Sequence, residues 1–119
     1  MQMKSQPMQQ KLKNAYNGIR FTYQTESNFR LHCYSAILVF IVFLLLKPSL
    51  IWWALVIICI ALVIAAELAN TAIETLLDHL HPEIHPSVRK VKDIMAGMVL
   101  SLSILAVIIG VLAVIDTLI

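Results

Sequence analysis

Glycine is nearly missing from this sequence. Gly18, Gly97 and Gly110 are the only three in 119 residues, and they are far apart. That excludes Walker-type and kinase-type phosphate loops, in which closely spaced glycines let backbone amides approach a phosphate. Cysteine is scarce as well. Cys33 and Cys59 fit no metal or redox spacing, and their different depths in the chain's apolar runs make a disulfide between them improbable. Charge is thin, at 13% of residues, and no basic patch is large enough for a nucleic-acid surface. Beyond Lys92 there is no lysine or arginine at all.

What fills the space is hydrocarbon. Hydrophobic residues make up 60% of the chain and the mean hydropathy is +0.84, outside the range of ordinary soluble domains. Three runs carry no charge: "CYSAILVFIVFLLL" (33–46), "LIWWALVIICIALVIAA" (50–66) and "IMAGMVLSLSILAVIIGVLAVI" (94–115). A spanning helix needs about 20 predominantly apolar residues. The third run suffices alone, the first if it starts near Phe29, and the second if Glu67 lies at the membrane surface. The first run begins well into the chain and has no cleavage-like site behind it, so it reads as a retained span rather than a signal peptide.

The fold expected is therefore all-α and integral to a membrane, in one domain. A frayed segment 1–10 is followed by an amphipathic surface helix over 11–31 and membrane helices at about 30–46, 49–80 and 87–117. Leu12, Tyr16, Ile19 and Tyr23 make one helical stripe, suited to lying in the membrane interface. "HPEIHPSVR" breaks the last two helices apart, with Ser87 as the expected cap. Its prolines also spoil any zinc-type spacing of His79, His81 and His85.

Basic residues set the orientation. Lys4, Lys11, Lys13, Arg20 and Arg30 precede the first span, and Arg89, Lys90 and Lys92 lie between the second and third. The positive-inside rule places the N-terminus and the 79–92 loop in the cytoplasm and the C-terminus outside. Trp52 and Trp53 fit an outer aromatic belt, Asp116 reads as solvated, and His32 reads as a packing residue at the membrane edge.

The acids are placed less evenly than a solvated surface requires. Glu67, Asn70, Glu74 and Asp78 share an arc of about 80° on one helix. Glu67 directly follows seventeen apolar residues, a depth at which a carboxylate is costly and usually marks a site. Crowded carboxylates call for a counter-charge, and oxygen-rich sites suit Mg²⁺ or Ca²⁺. Glu26 is the only acid ahead of the first span. "RKVKD" (89–93) adds cations near the start of the last helix, where phosphate is favoured. Metal-bridged phosphates, a lysine and a base are the parts of phosphoryl transfer. A second reading is a small ion-coupled transporter with Glu67 as its binding carboxylate.

"ELANTAIETLLD" (67–78), "HPxxxxxKD" (85–93) and "ESNFR" (26–30) resemble the prokaryotic diacylglycerol kinase family, small three-span inner-membrane lipid kinases that include undecaprenol kinases. The resemblance extends from about Lys11 to Leu112. It implies a homotrimer with active sites between subunits at the cytoplasmic face of the bacterial inner membrane. It also implies transfer of the γ-phosphate of ATP to a membrane lipid alcohol, either diacylglycerol or undecaprenol. By the same resemblance Glu67 is the general base, and Glu26 and Glu74 hold Mg²⁺. Asn70, Asp78, Glu83, His85, Lys92 and Asp93 then serve the nucleotide site together with Glu74. Asn28, Arg30, Glu67 and Ala96 face the lipid. Two departures stand out. No arginine precedes Arg20, so Lys11 or Lys13 takes the place of an early nucleotide-contacting arginine. Ala96 replaces a serine of the diacylglycerol kinases, and "NFRLH" looks closer to the undecaprenol-kinase branch.

Overall fold

A computed structural model describes residues 6–83 and 85–119, and these form four helices. They are α1 (Met8–Thr25), α2 (Ser27–Leu46), α3 (Leu50–Leu80) and α4 (Pro86–Leu118). The last three are long and apolar enough to cross a membrane. The chain is therefore an integral membrane protein with three spans and a preceding amphipathic helix, as its composition requires.

The boundaries differ from expectation at two places. The surface helix stops at Thr25, not Leu31, because Glu26 adopts an extended backbone (φ −115°, ψ 110°). Arg30 secures this break. Its Nη1 donates to the carbonyl oxygens of Tyr23 (2.6 Å) and Gln24 (3.3 Å), so a guanidinium closes the negative end of α1. At the start of α4 the cap is His85 rather than Ser87. The His85 Nδ1 accepts from the Ser87 backbone amide at 3.1 Å, and Pro86 occupies the first turn, where its missing N–H costs nothing. Of the segment expected to fray, residues 1–5 lie outside the described residues, and Met8–Gln10 are helical.

Helix α1 turns its stripe outward. Met8, Leu12, Tyr16, Ile19 and Tyr23 are all exposed, whereas Thr22, about 80° round the helix from the centre of that stripe, is buried. Facing it, α3 buries Thr71, and a cleft of about 490 Å³ between the helices is lined by Gly18, Thr22, Leu68, Thr71 and Thr75 among others. The outward stripe is the surface an interfacial helix presents to lipid.

Helices α3 and α4 form the main antiparallel pair. At the end far from Glu67 they hold a small aromatic core. Phe43 stacks edge-on to Trp53 at 5.2 Å, and Val56 and Ala113 are buried beside it. Here Asp116 is not merely solvated: its Oδ2 accepts from Trp52 Nε1 at 2.8 Å and ties the ends of α3 and α4 together. Lys47 closes α2 in the left-handed region (φ 57°), its amide donating to Phe43 O at 2.8 Å.

At 1.5 Å per residue, 31-residue α3 is about 46 Å long, against about 30 Å for the hydrocarbon layer of a bilayer. The excess equals its C-terminal third, about residues 70–80, which carries Glu74 and Asp78, with Glu67 about one turn before it.

Candidate active site

Glu67 opens the polar part of α3 and is only 3% exposed. Its burial follows from position, one residue past the apolar run and packed where α2, α3 and α4 meet. Its Oε1 lies 2.8 Å from His32 Nδ1 on α2, within ion-pair range though off the line of a directed hydrogen bond. One turn on, the Thr71 hydroxyl donates to the Glu67 carbonyl at 3.0 Å.

The next positions on the same face are joined. Asn70 Nδ2 donates to Glu74 Oε1 at 2.7 Å. Asn70 Oδ1, by contrast, is buried with no donor. Farther along, Asp78 Oδ1 receives Lys92 Nζ at 2.7 Å, which clamps the C-terminal end of α3 to the first turns of α4. Asp93 Oδ1 lies 3.5 Å from Arg89 Nε, an exposed pair within α4.

Glu26 reaches this group from the α1–α2 break. Burial pushes its carboxyl above the ordinary value, and the nearby charges of Glu74 and then Glu67 push it further. So Glu26, at the α1–α2 break, senses the charges of Glu74 and Glu67 on α3. No three acidic, histidine or cysteine side chains among the described residues converge tightly enough to hold a metal alone. The donor set nevertheless suits a hard cation. Glu26 and Glu74 offer oxygens whose repulsion a cation would relieve, and the orphaned Asn70 Oδ1 is a spare acceptor next to Glu74. Phosphate oxygens of a nucleotide would complete such a shell.

The remaining expected residues fall into two groups. Glu83 and His85 lie exposed in the α3–α4 connection, beside the Lys92–Asp78 clamp. Asn28 and Ala96 are exposed on α2 and α4, and Arg30 is engaged with the end of α1.

Reading the sequence missed His32. The expectation for it is packing at the membrane edge, yet among the described residues it is the side chain that meets Glu67 through a charge contact. Ser103 on α4 stands 3.4 Å from the other ring nitrogen. A signal was present: His32, Glu67 and Ser103 are polar residues at similar depths in three otherwise apolar helices.

A sequence profile of the prokaryotic diacylglycerol kinases matches residues 13–114, which takes in every element of this arrangement. The chain belongs to that family. It is 36% identical over 99 residues to the undecaprenol kinase of Bacillus subtilis (strain 168), covering 83% of this chain and 80% of that protein. It is 34% identical over 97 residues to the diacylglycerol kinase of Synechocystis sp. (strain PCC 6803), covering 81% of this chain but 55% of that protein. The chain is thus a membrane-embedded lipid kinase, a phosphotransferase with an alcohol as acceptor and ATP as co-substrate. Nothing favours an ion-coupled transporter.

Proposed function

We propose that this kinase phosphorylates undecaprenol, giving undecaprenyl phosphate, with Glu67 as the group that draws the proton from the lipid hydroxyl. The burial of Glu67 at the inner edge of α3 carries the reading. The carboxylate sits where a lipid headgroup and a soluble nucleotide meet, within reach of a hydroxyl proton in this reading. The undecaprenol assignment is supported by the relative matched over most of both lengths, and by Ala96 standing where diacylglycerol kinases carry serine.

Glu26 and Glu74 hold Mg²⁺ in this reading, Asn70 steadies Glu74, and the metal neutralises the ATP phosphates when bound. Lys92 and Asp93, with Glu83 and His85 in the adjoining loop, bind the nucleotide. Lys92 is held by Asp78 in the structure and is thereby pre-placed at the mouth of the site. Asp78 orders the lysine rather than touching the reacting atoms. Lys11 or Lys13 supplies the cation that an early arginine would. Asn28 and Arg30 lie at the lipid entrance.

One chain leaves this nucleotide surface open, and in this reading the active form is the homotrimer that the family resemblance implies, with sites completed by neighbouring subunits. It lies in the bacterial inner membrane with its N-terminus and site in the cytoplasm and its C-terminus outside. The test is transfer of ³²P from Mg·γ-³²P-ATP to undecaprenol and to diacylglycerol in parallel mixed micelles. Label in undecaprenol, abolished by Glu67→Gln, is expected. Label in diacylglycerol alone would reassign the acceptor, and none in either would end the proposal.

A further inference from the structure

Glu26 is the whole of the join between α1 and α2, being the C-cap of one helix and the N-cap of the other. Its backbone is fully used there. The N–H donates to Thr22 O at 2.9 Å, and the carbonyl accepts from Arg30 N at 3.3 Å. Its side chain makes no capping hydrogen bond, although an N-cap position usually invites one. The carboxylate is left instead where it feels the charges of Glu74 and Glu67. With a single residue between two stiff helices, the direction in which that carboxylate points depends on the angle between them.

Two fasteners set this angle. The near one is Arg30, four residues beyond the join, through its bonds to the Tyr23 and Gln24 carbonyls. Its guanidinium also stands over the Tyr23 ring, 6.0 Å from the centroid. The far one joins two side chains. The Tyr23 and Tyr34 hydroxyls are hydrogen-bonded at 2.5 Å, and their rings meet edge to face with centroids 6.4 Å apart. Tyr34 is eight residues past Glu26, about 12 Å along α2, so a bond there resists rotation of α1 with a longer lever than Arg30 has. On α2, Tyr34 shares an arc of about 60° with Arg30, Ile37 and Ile41. Tyr34, Ile37 and Ile41 are all exposed, which marks this as the lipid-facing side of the helix. A hydroxyl there has little water to turn to, so each tyrosine is a better partner for the other than it would be in solvent.

We propose that the Tyr23–Tyr34 bridge is a positioning device for the metal site: it braces α1 against α2 so that Glu26 stays turned toward Glu74, ready for Mg²⁺. This rests on the reading above in which Glu26 and Glu74 hold the metal, and it deepens that reading. Both tyrosines act through Glu26 and touch neither metal nor substrate. When the bridge opens, α1 is free to swing and Glu26 leaves its place. A metal that binds only the braced state then has its apparent affinity lowered in proportion to the braced fraction. Bound metal holds the corner closed, so at saturating Mg²⁺ the reaction itself is unaffected.

Tyr34→Phe and Tyr23→Phe each keep the ring and remove one hydroxyl. A readout that needs no turnover is the thermal midpoint of the full chain in detergent micelles, titrated with Mg²⁺ at a saturating non-hydrolysable ATP analogue. Each variant is expected to need about three- to tenfold more Mg²⁺ than wild type for half of its full shift, the worth of one hydrogen bond. The double variant should need no more than either single one, because both lose the same bond. The Mg²⁺ dependence of ³²P transfer to the lipid should move equally, with kcat at saturating Mg²⁺ and KM for the lipid within about twofold of wild type. A general loosening of the fold would lower the midpoint without moving the Mg²⁺ requirement, and would overturn the proposal. So would additive effects of the two changes, or Mg²⁺ curves that overlay the wild-type one. Should wild type show no Mg²⁺-dependent shift, or Glu26→Gln shift as wild type does, the metal reading itself fails and the bridge's role with it. That outcome is distinct from a wild type that responds to Mg²⁺ while the bridge variants respond identically.

Discussion

At the residue scale, the candidate site brings Glu26 close enough to two other carboxylates to feel their charge, a repulsion that a bound cation would relieve. Burial and then the charges of Glu74 and Glu67 raise the Glu26 pKa. The sign follows from linkage. The native state holds the proton more tightly than the unfolded chain, so without metal this group lowers stability as pH rises through the carboxylate range. Below the ordinary carboxylate pKa the effect vanishes, and above the raised one it is complete. Glu26→Gln should therefore raise the melting temperature of the metal-free protein at pH 7 while leaving it unchanged near pH 4. The same change should abolish the stabilisation that Mg²⁺ gives the wild type. Thermal scans with and without Mg²⁺ check both, and a lower melting temperature at pH 7 would contradict the repulsion.

At the scale of elements, two clamps fix where the site residues lie. Lys92 and Asp78 tie α4 to α3 where both leave the membrane. A half-exposed ion pair of this kind is worth under about 1 kcal/mol. If Lys92 also serves nucleotide phosphate, Lys92→Met should cost little stability but raise KM for ATP tenfold or more. Equal and small effects on both would leave it a clamp only. Arg30 holds the end of α1 against α2 through the Tyr23 and Gln24 carbonyls. Arg30→Gln should cost about 1 kcal/mol and loosen Glu26, which sits inside the break. Hydrogen exchange at Tyr23–Ser27 should then rise well above that of mid-α1. Protection unchanged there would show that the break holds without the guanidinium.

At the scale of the whole molecule, a chain of 13.4 kDa with three spans has little interior. Among the described residues its buried hydrophobic set is seven, so most of its apolar surface is left for lipid or for other copies of itself. Native mass spectrometry from detergent should give a trimer near three times the chain mass; a monomer retaining full activity would contradict the shared-site reading. Orientation is tested with single cysteines in a Cys33→Ser, Cys59→Ser background. A cysteine at Ile119 should react with an impermeant maleimide from outside intact cells, and one at His81 only after lysis.

The sequence by itself determined the spans, the outward stripe of α1 and the shared face of Glu67, Asn70 and Glu74. Each is periodic or compositional: uncharged length selects a membrane helix, and 100° per residue decides which side chains share a face. It also carried the family, because the E-x-x-N-x-x-x-E block is contiguous in the chain. Only tertiary structure decided what meets across helices. Glu26 sensing Glu74, His32 against Glu67, Lys92 on Asp78 and Trp52 on Asp116 join residues from different elements. No local pattern encodes such pairs, since they depend on the depth and rotation at which neighbouring helices pack. The early end of α1 belongs here too, because the arginine that closes it acts from the following helix. A histidine at the membrane edge has the same sequence signature whether it packs against lipid or serves a buried carboxylate. What separates the two is Glu67, brought to it by the fold from 35 positions away in the chain.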